Sequence, residues 1–239
     1  MAQRKFITIY EKLKDAIMEG TYPYQAVLPS EHELVRTFDT SRETVRKALA
    51  LLMDNGMIQK LRGKGSVVIY QGITTLPFND LQSFQEINAR QGQRYQTVVE
   101  CFEEVEAGDV PQVKAALDLK MSDVLWHVIR TRRLHGQVKI IDEDYFVQKY
   151  LPELNIQIAA QSIYHYLEET LNTKVGYAHK EISFEPFGEM ETTLFSSHAT
   201  PYTATVRGVV HLNDTTKFQY NVSKHIATEF KFREFSRRN

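Results

Sequence analysis

The chain of 239 residues has almost no cysteine: Cys101 stands alone, so no intrachain disulfide can form and no zinc cluster can be built on thiolates. Glycine and proline are also sparse, at 11 and 7, which excludes collagen-like and low-complexity architectures. No apolar run approaches the roughly 18–20 residues a membrane span needs. Residues 1–8 carry two early basic side chains with no apolar segment behind them, so they do not read as a signal peptide. The expectation is a cytoplasmic protein with no membrane partner, in which the sequons at Asn213 and Asn221 are fortuitous. A large net charge is missing too: 29 Lys and Arg face 30 Asp and Glu. That balance conceals an asymmetry. Residues 1–70 carry 11 basic and 8 acidic side chains, the rest 18 and 22, and a basic head on an acidic body points to an anionic partner for the head.

Helical spacing begins at residues 6–19, where Phe6, Ile9, Tyr10, Leu13, Ala16 and Ile17 form one face before Gly20. Pro29 then leads into Ser30-Glu31-His32-Glu33, a capping-box start in which Ser30 and Glu33 satisfy each other's amides. That helix is short, breaking at Thr37-Phe38-Asp39. Another opens at Thr40 or Ser41 and runs to about Asp54, with Val45, Ala48, Leu49, Leu52 and Met53 as its apolar stripe. Two short capped helices joined by a turn describe a helix-turn-helix. Beyond Gly56, two β-rich runs flank Arg62-Gly63-Lys64-Gly65, a hairpin with a basic loop. The first domain, residues 1–70, is therefore expected to be a winged helix that binds double-stranded DNA.

Arg42 falls in the first turn of the second helix, where recognition helices meet base edges, and its five donors suit phosphate or guanine. At about 100° per residue, Glu43, Arg46 and Lys47 lie away from the apolar stripe, with Arg42 at its margin. The expected DNA-facing set is Ser30 and His32, then Ser41, Arg42, Glu43, Thr44 and Arg46, then Arg62, Gly63 and Lys64 in the wing. A single arginine would be read as a solvated surface residue. Here the caps, turn, stripe and basic loop agree.

Residues 71–80 are turn-rich and read as a linker, and 81–239 as a second domain of interleaved helices and hairpins. Helices are expected at 81–89, at 110–117 with Pro111 in its first turn, and at 163–171. Strands are expected at 124–134 and 137–146, turning at His135-Gly136, then 176–185, then 202–212 and 216–226. The class is α+β with a mainly antiparallel sheet. In strand 124–134 the even positions put Arg130 and Arg132 among apolar neighbours, so an anion or carboxylates must satisfy them. Ser162 stands where a helix should begin. Gln219, Asn221, Ser223 and His225 share a polar strand face, with Phe218, Tyr220 and Val222 opposite. By pattern alone such a face is more often solvated than a sugar site.

Leu28-Pro29-Ser30-Glu31-His32-Glu33-Leu34, Ser41-Arg42-Glu43-Thr44-Val45-Arg46-Lys47-Ala48-Leu49 and Gly63-Lys64-Gly65-Ser66-Val67-Val68 resemble the winged helix of GntR-type repressors. The second domain resembles the UTRA effector domain of the HutC subgroup, whose fold is chorismate lyase-like. Lys5-Phe6-Ile7-Thr8-Ile9-Tyr10, residues 40–49 and Lys231-Phe232-Arg233-Glu234-Phe235-Ser236-Arg237-Arg238 are most similar to the branch that governs trehalose operons in Gram-positive bacteria. The resemblance implies a homodimeric repressor, released from its operator by trehalose 6-phosphate. It also implies a phosphate site of Ser83, Arg130, Arg132, Ser162 and Tyr164, with Asp142, Gln219 and His225 touching the sugar. Relatives that bind amino-sugar phosphates have glutamate and tyrosine at the last two positions, which argues for a different sugar here.

Two rival readings stand beside this one: a HutC-type regulator answering another small anion, and a chorismate lyase-like enzyme. No nucleophile–base pair or metal signature supports the enzyme, and no cofactor is expected. Gly63-Lys64-Gly65 lacks the first Gly and the Ser or Thr of a phosphate loop. The eight histidines show no metal-ligand spacing. Trp126 reads as core and Cys101 as a small buried hydrophobe.

Overall fold

The computed structural model describes residues 2–71, 95–196 and 200–232, which form two compact units. In the first, α1 (Ala2–Met18), α2 (Glu31–Thr37) and α3 (Arg42–Asp54) precede a hairpin of β1 (Ile58–Leu61) and β2 (Gly65–Val68). Ser30 caps α2 in a full capping box with Glu33, each satisfying an amide of the other. Of the two candidate caps for α3, Ser41 is used: its hydroxyl accepts from the Thr44 amide. The turn between the helices passes through Asp39 in the left-handed region (φ 43°), and Lys5 Nζ donates to the Asp39 carbonyl at 2.5 Å. Val45, Ala48, Leu49 and Leu52 of α3 meet Ile9, Leu13 and Ile17 of α1 and Leu34 of α2 in one core. Val45 and Leu52 have no exposed surface, each worth roughly 1.5–3 kcal/mol of burial. An unforeseen addition is the bridge of Val27 to Val67, which lays a short third strand against the wing.

The second unit is a six-stranded, fully antiparallel sheet in the order β3-β4-β5-β8-β7-β6, from β3 (Gln96–Glu106), β4 (Val124–Leu134), β5 (Gln137–Val147), β6 (Val175–Pro186), β7 (Tyr202–Leu212) and β8 (Lys217–Ile226). The β4–β5 turn has positive φ at both His135 (52°) and Gly136 (79°), the mirror-image turn whose twist suits a hairpin. α4 (Pro111–Leu117) packs Val113 and Leu117 on one sheet face with Leu125, Val147, Tyr220 and Val222. On the other face α5 (Ile156–Ala160) and α6 (Ile163–His165), which continues as a π-helical turn (Tyr166–Thr170), cover Val128, Phe146 and Val210. α7 (Glu189–Phe195) closes a smaller cluster around Ile141 and Ile226.

Three of these elements, β3, α5 and α7, were not anticipated. The expected helix at 81–89 lies outside the described residues, as does the linker beyond Gln71. Phe218 departs from strict alternation. It is the extra residue of a bulge, because His211 pairs with Lys217 while Val210 pairs with Gln219. Its ring therefore joins Phe146 and Tyr164 on the Gln219 side, not Tyr220 and Val222.

Candidate nucleic-acid interface and effector site

In the first unit the helix-turn-helix and the wing meet at one carboxylate. Glu31, at the start of α2, accepts from Arg42 Nε at 2.9 Å and from Lys60 Nζ at 2.7 Å. These two bonds, Lys60's the stronger influence, hold its carboxyl below the usual range. Arg42 keeps a side chain 77% exposed, so the pair adds little stability. Its effect is orientation: Nε is engaged and both terminal amino groups stay available for a bidentate partner. Arg46, Arg62, Gly63 and Lys64 are exposed, and Glu43 pairs with Lys47 one turn on, at 2.9 Å. A groove between α3 and β1–β2 is bordered by Arg42, Arg46, Lys47 and Lys60 over Leu49, Ala50 and Met53. Gly63 supplies the positive φ (81°) that the wing loop needs. The Ser30 and Ser41 hydroxyls serve as helix caps, Thr44 bonds Ser41, and exposed His32 sits 2.7 Å from Arg36.

In the second unit a polar network occupies the α5–α6 face of the central strands. Arg130 and Arg132 are both buried, on β4. Carboxylates satisfy them: Arg130 NH2 donates to Asp144 at 2.5 Å, and Arg132 Nε to Asp142 at 2.8 Å. Arg132 also donates to Thr97 at 2.7 Å, and Arg130 to the Ala159 carbonyl at 3.4 Å. Buried Arg130 Nε has no hydrogen-bond partner among the described residues. Asp144, with no exposed surface, further accepts from Gln219 at 2.7 Å and Asn221 at 2.8 Å. Gln219 in turn accepts from the Tyr164 hydroxyl at 2.8 Å. Ser223 donates to Asp142 at 2.6 Å and lies 3.2 Å from His225 Nε2.

Burial alone would push the Asp142 carboxyl up, but the Arg132 and Arg130 guanidiniums hold it below its ordinary range. His225 is pulled down to about 4 by burial, which Asp142's charge only partly offsets, so at neutral pH it is uncharged. Burial and the Asp144 charge raise the Tyr164 phenol, which stays protonated and able to donate.

Of the expected effector set, Arg130, Gln219 and Tyr164 thus fall in a hydrogen-bonded cluster around Asp144, and Arg132, Asp142 and His225 in a second cluster beside it on the same sheet face, while Ser83 lies outside the described residues. Ser162 is buried, but its hydroxyl caps α6 by accepting from the His165 amide. The α-helix it opens is only three residues long, so little macrodipole stands behind it. Asp144, Asn221, Ser223 and Thr97 were not singled out as site residues. Asp144 could have been, since buried arginines demand counter-ions and it lies two residues from Asp142 on the same strand face.

A second polar group lies on the opposite face. Cys101 is half-buried rather than core, and its thiol, Glu103 and His127 bring ligand-type atoms within 4.8 Å of one another. Sequence spacing could not show this, because Glu103 and His127 meet only across the β3–β4 register. His127 is held between Glu103 at 2.9 Å and Glu143 at 3.1 Å. Burial opposes its charge, but Glu143 and Glu103 raise it overall. Trp126 stacks on Phe102 and donates its indole N–H to the Leu151 carbonyl.

The gntR family of bacterial regulatory proteins matches residues 7–68, and the UTRA domain matches residues 90–231. The HTH-type transcriptional regulator TreR of Bacillus subtilis is 40% identical over all of this chain and 99% of its own. The mannosyl-D-glycerate transport/metabolism repressor MngR of Escherichia coli is 28% identical over 94% of this chain and 92% of its own. Among solved structures, the effector-binding domain of the B. subtilis trehalose repressor superposes with a TM-score of 0.54 at 34% identity, covering 60% of this chain and 99% of that one. The B. subtilis regulator YydK, at 23% identity, shares the fold over 98% of this chain and 99% of its own, with a TM-score of 0.79. Relatives that regulate transcription over their whole length leave no place for the lyase-like enzyme: the chain belongs to the gntR family of bacterial regulatory proteins and is a transcriptional regulator with a UTRA domain.

Proposed function

We propose that this regulator is a cytoplasmic homodimer that represses a trehalose utilisation operon and leaves its operator when trehalose 6-phosphate binds. Residues 1–70 act as the DNA-reading head, 71–80 as the linker and 81–239 as the effector domain. The observation that carries the effector reading is the buried Arg130–Arg132 pair with its ring of polar partners, on a chain 40% identical to TreR. Two buried guanidiniums i and i+2 on one strand face can reach a single phosphate. Asp142, Gln219 and His225 present the mixture of acceptors and donors that sugar hydroxyls require. In the head, Arg42 reads bases in the major groove while Arg46, Arg62 and Lys64 neutralise phosphates.

Fluorescence anisotropy on labelled operator DNA tests this. Trehalose 6-phosphate should release the protein, and unphosphorylated trehalose should do so far less. Release by a different anion, with indifference to trehalose 6-phosphate, would leave a regulator of the same family with another effector.

A further inference from the structure

We propose that Asp142 and Asp144 make the effector site selective for a ligand that is both an anion and a polyol, by cancelling the charge that would otherwise admit any small phosphate. This rests on reading the Arg130–Arg132 network as the effector site. Two guanidiniums in a buried site would ordinarily attract inorganic phosphate, which every cell contains. Here each is already matched, Arg130 by Asp144 at 2.5 Å and Arg132 by Asp142 at 2.8 Å. The four side chains sum to zero charge. A bare phosphate entering the network gains from the arginines and loses to two carboxylates at comparable range.

The same carboxylates state what else the ligand must bring. An ionised carboxylate only accepts, and it has room for about four hydrogen bonds. Asp144 takes three, from Arg130, Gln219 and Asn221. Asp142 takes two, from Arg132 and Ser223, so it retains capacity for further donors. At neutral pH inorganic phosphate has only one or two P–OH donors, on the same group that must face the arginines, whereas a sugar offers several hydroxyls set apart from its phosphate. Asp144 has a second task as a positioning residue. By accepting from Gln219 Nε2 it turns the amide so that Oε1 meets the Tyr164 hydroxyl. A ligand with oxygens for the arginines and hydroxyls for Asp142 satisfies both halves of the network. Inorganic phosphate, whose few protons sit on the charged group itself, satisfies the second half poorly.

The test is calorimetry and thermal shift on the full-length protein, comparing wild type, Asp144→Asn and Asp142→Asn against inorganic phosphate, trehalose and trehalose 6-phosphate. Wild type should ignore inorganic phosphate. Each variant should gain inorganic-phosphate affinity by about tenfold or more, the scale on which a nearby unit charge acts inside a protein. A merely structural aspartate would not tighten anion binding when replaced. Asp144→Asn leaves Arg130 buried without its counter-ion and is the riskier fold. Asp142→Asn leaves Arg132 its bond to Thr97 and can decide the matter alone. Strong inorganic-phosphate binding by wild type, or folded variants that gain none, would overturn the filter whatever trehalose 6-phosphate does. If the variants gain phosphate affinity while wild type ignores trehalose 6-phosphate, the filter stands and the effector assignment falls.

Discussion

Taking the protein from pH 7 to pH 5 protonates His225 in the unfolded chain but not in the folded one. The imidazole is buried, and its pKa falls from 6.5 to about 4. Between those values the unfolded state holds a proton that the native state lacks, so stability rises with pH across the window. The contribution is complete above the unfolded value and is lost progressively as pH falls toward the folded one. At 1.36 kcal/mol per unit, the shift is worth about 3 kcal/mol in full and about 2 kcal/mol by pH 5. Trp126 is the chain's one tryptophan and lies in the second unit, so its fluorescence follows unfolding there. Urea midpoints at pH 7, 6 and 5 should be compared with those of His225→Gln, which keeps an N–H near the Ser223 oxygen and cannot titrate. Wild type should lose about 2 kcal/mol more than the variant over this range. His127, raised by Glu143 and Glu103 against its burial, works in the opposite sense: its stabilisation is full at low pH and fades as pH rises. It is common to both proteins and cancels in the difference. Equal losses would refute the idea that His225 is buried uncharged.

Arg42→Ala should lose about 1–3 kcal/mol of specific binding per head in operator titrations, with random DNA little affected; equal loss on both would make Arg42 a phosphate clamp. Neutralising Lys64 should flatten the salt dependence of operator binding by about 1 per head, and an unchanged slope in a folded variant would remove the wing from the interface. Arg132→Ala should still bind operator yet ignore trehalose 6-phosphate, because the head is untouched; a normal response in release assays would place the phosphate site elsewhere.

The head was legible because its signals are local. A capping box, a helix stripe and a glycine-bearing basic loop each follow from a few consecutive residues, and all appear where expected. The long hairpins were legible for the same reason, down to the His135-Gly136 turn. β3 was not, because Gln96–Glu106 is an edge strand with no buried residue and four glutamates, so its alternation is blurred. The site was half legible. Arg130 and Arg132 announced a need for counter-charge, but which carboxylates answered depends on strand register. Arg130 lies opposite Asp142 yet pairs diagonally with Asp144, and Arg132 lies opposite Ile140 yet pairs with Asp142. No spacing rule along one segment contains that offset.

The glutamates that obscured β3 also govern what the sheet does to its neighbours in solution. Within the described sheet, β3 and β6 are the outer strands, with main-chain groups on one side left without a strand partner. Such rows template the stacking of one molecule on another unless something repels the newcomer. β3 presents exposed Glu100, Glu103, Glu104 and Glu106, while β6 presents Lys180 and Glu181 and ends on Pro186, which has no amide to give. A second molecule approaching β3 with its own β3 meets like charge along the strand. Replacing Glu104 and Glu106 with threonine would suit strand propensity better and spare the Glu100–Thr131 and Glu103–His127 bonds, yet would make the purified protein prone to aggregate, visible as rising light scattering at concentrations where the natural sequence stays clear.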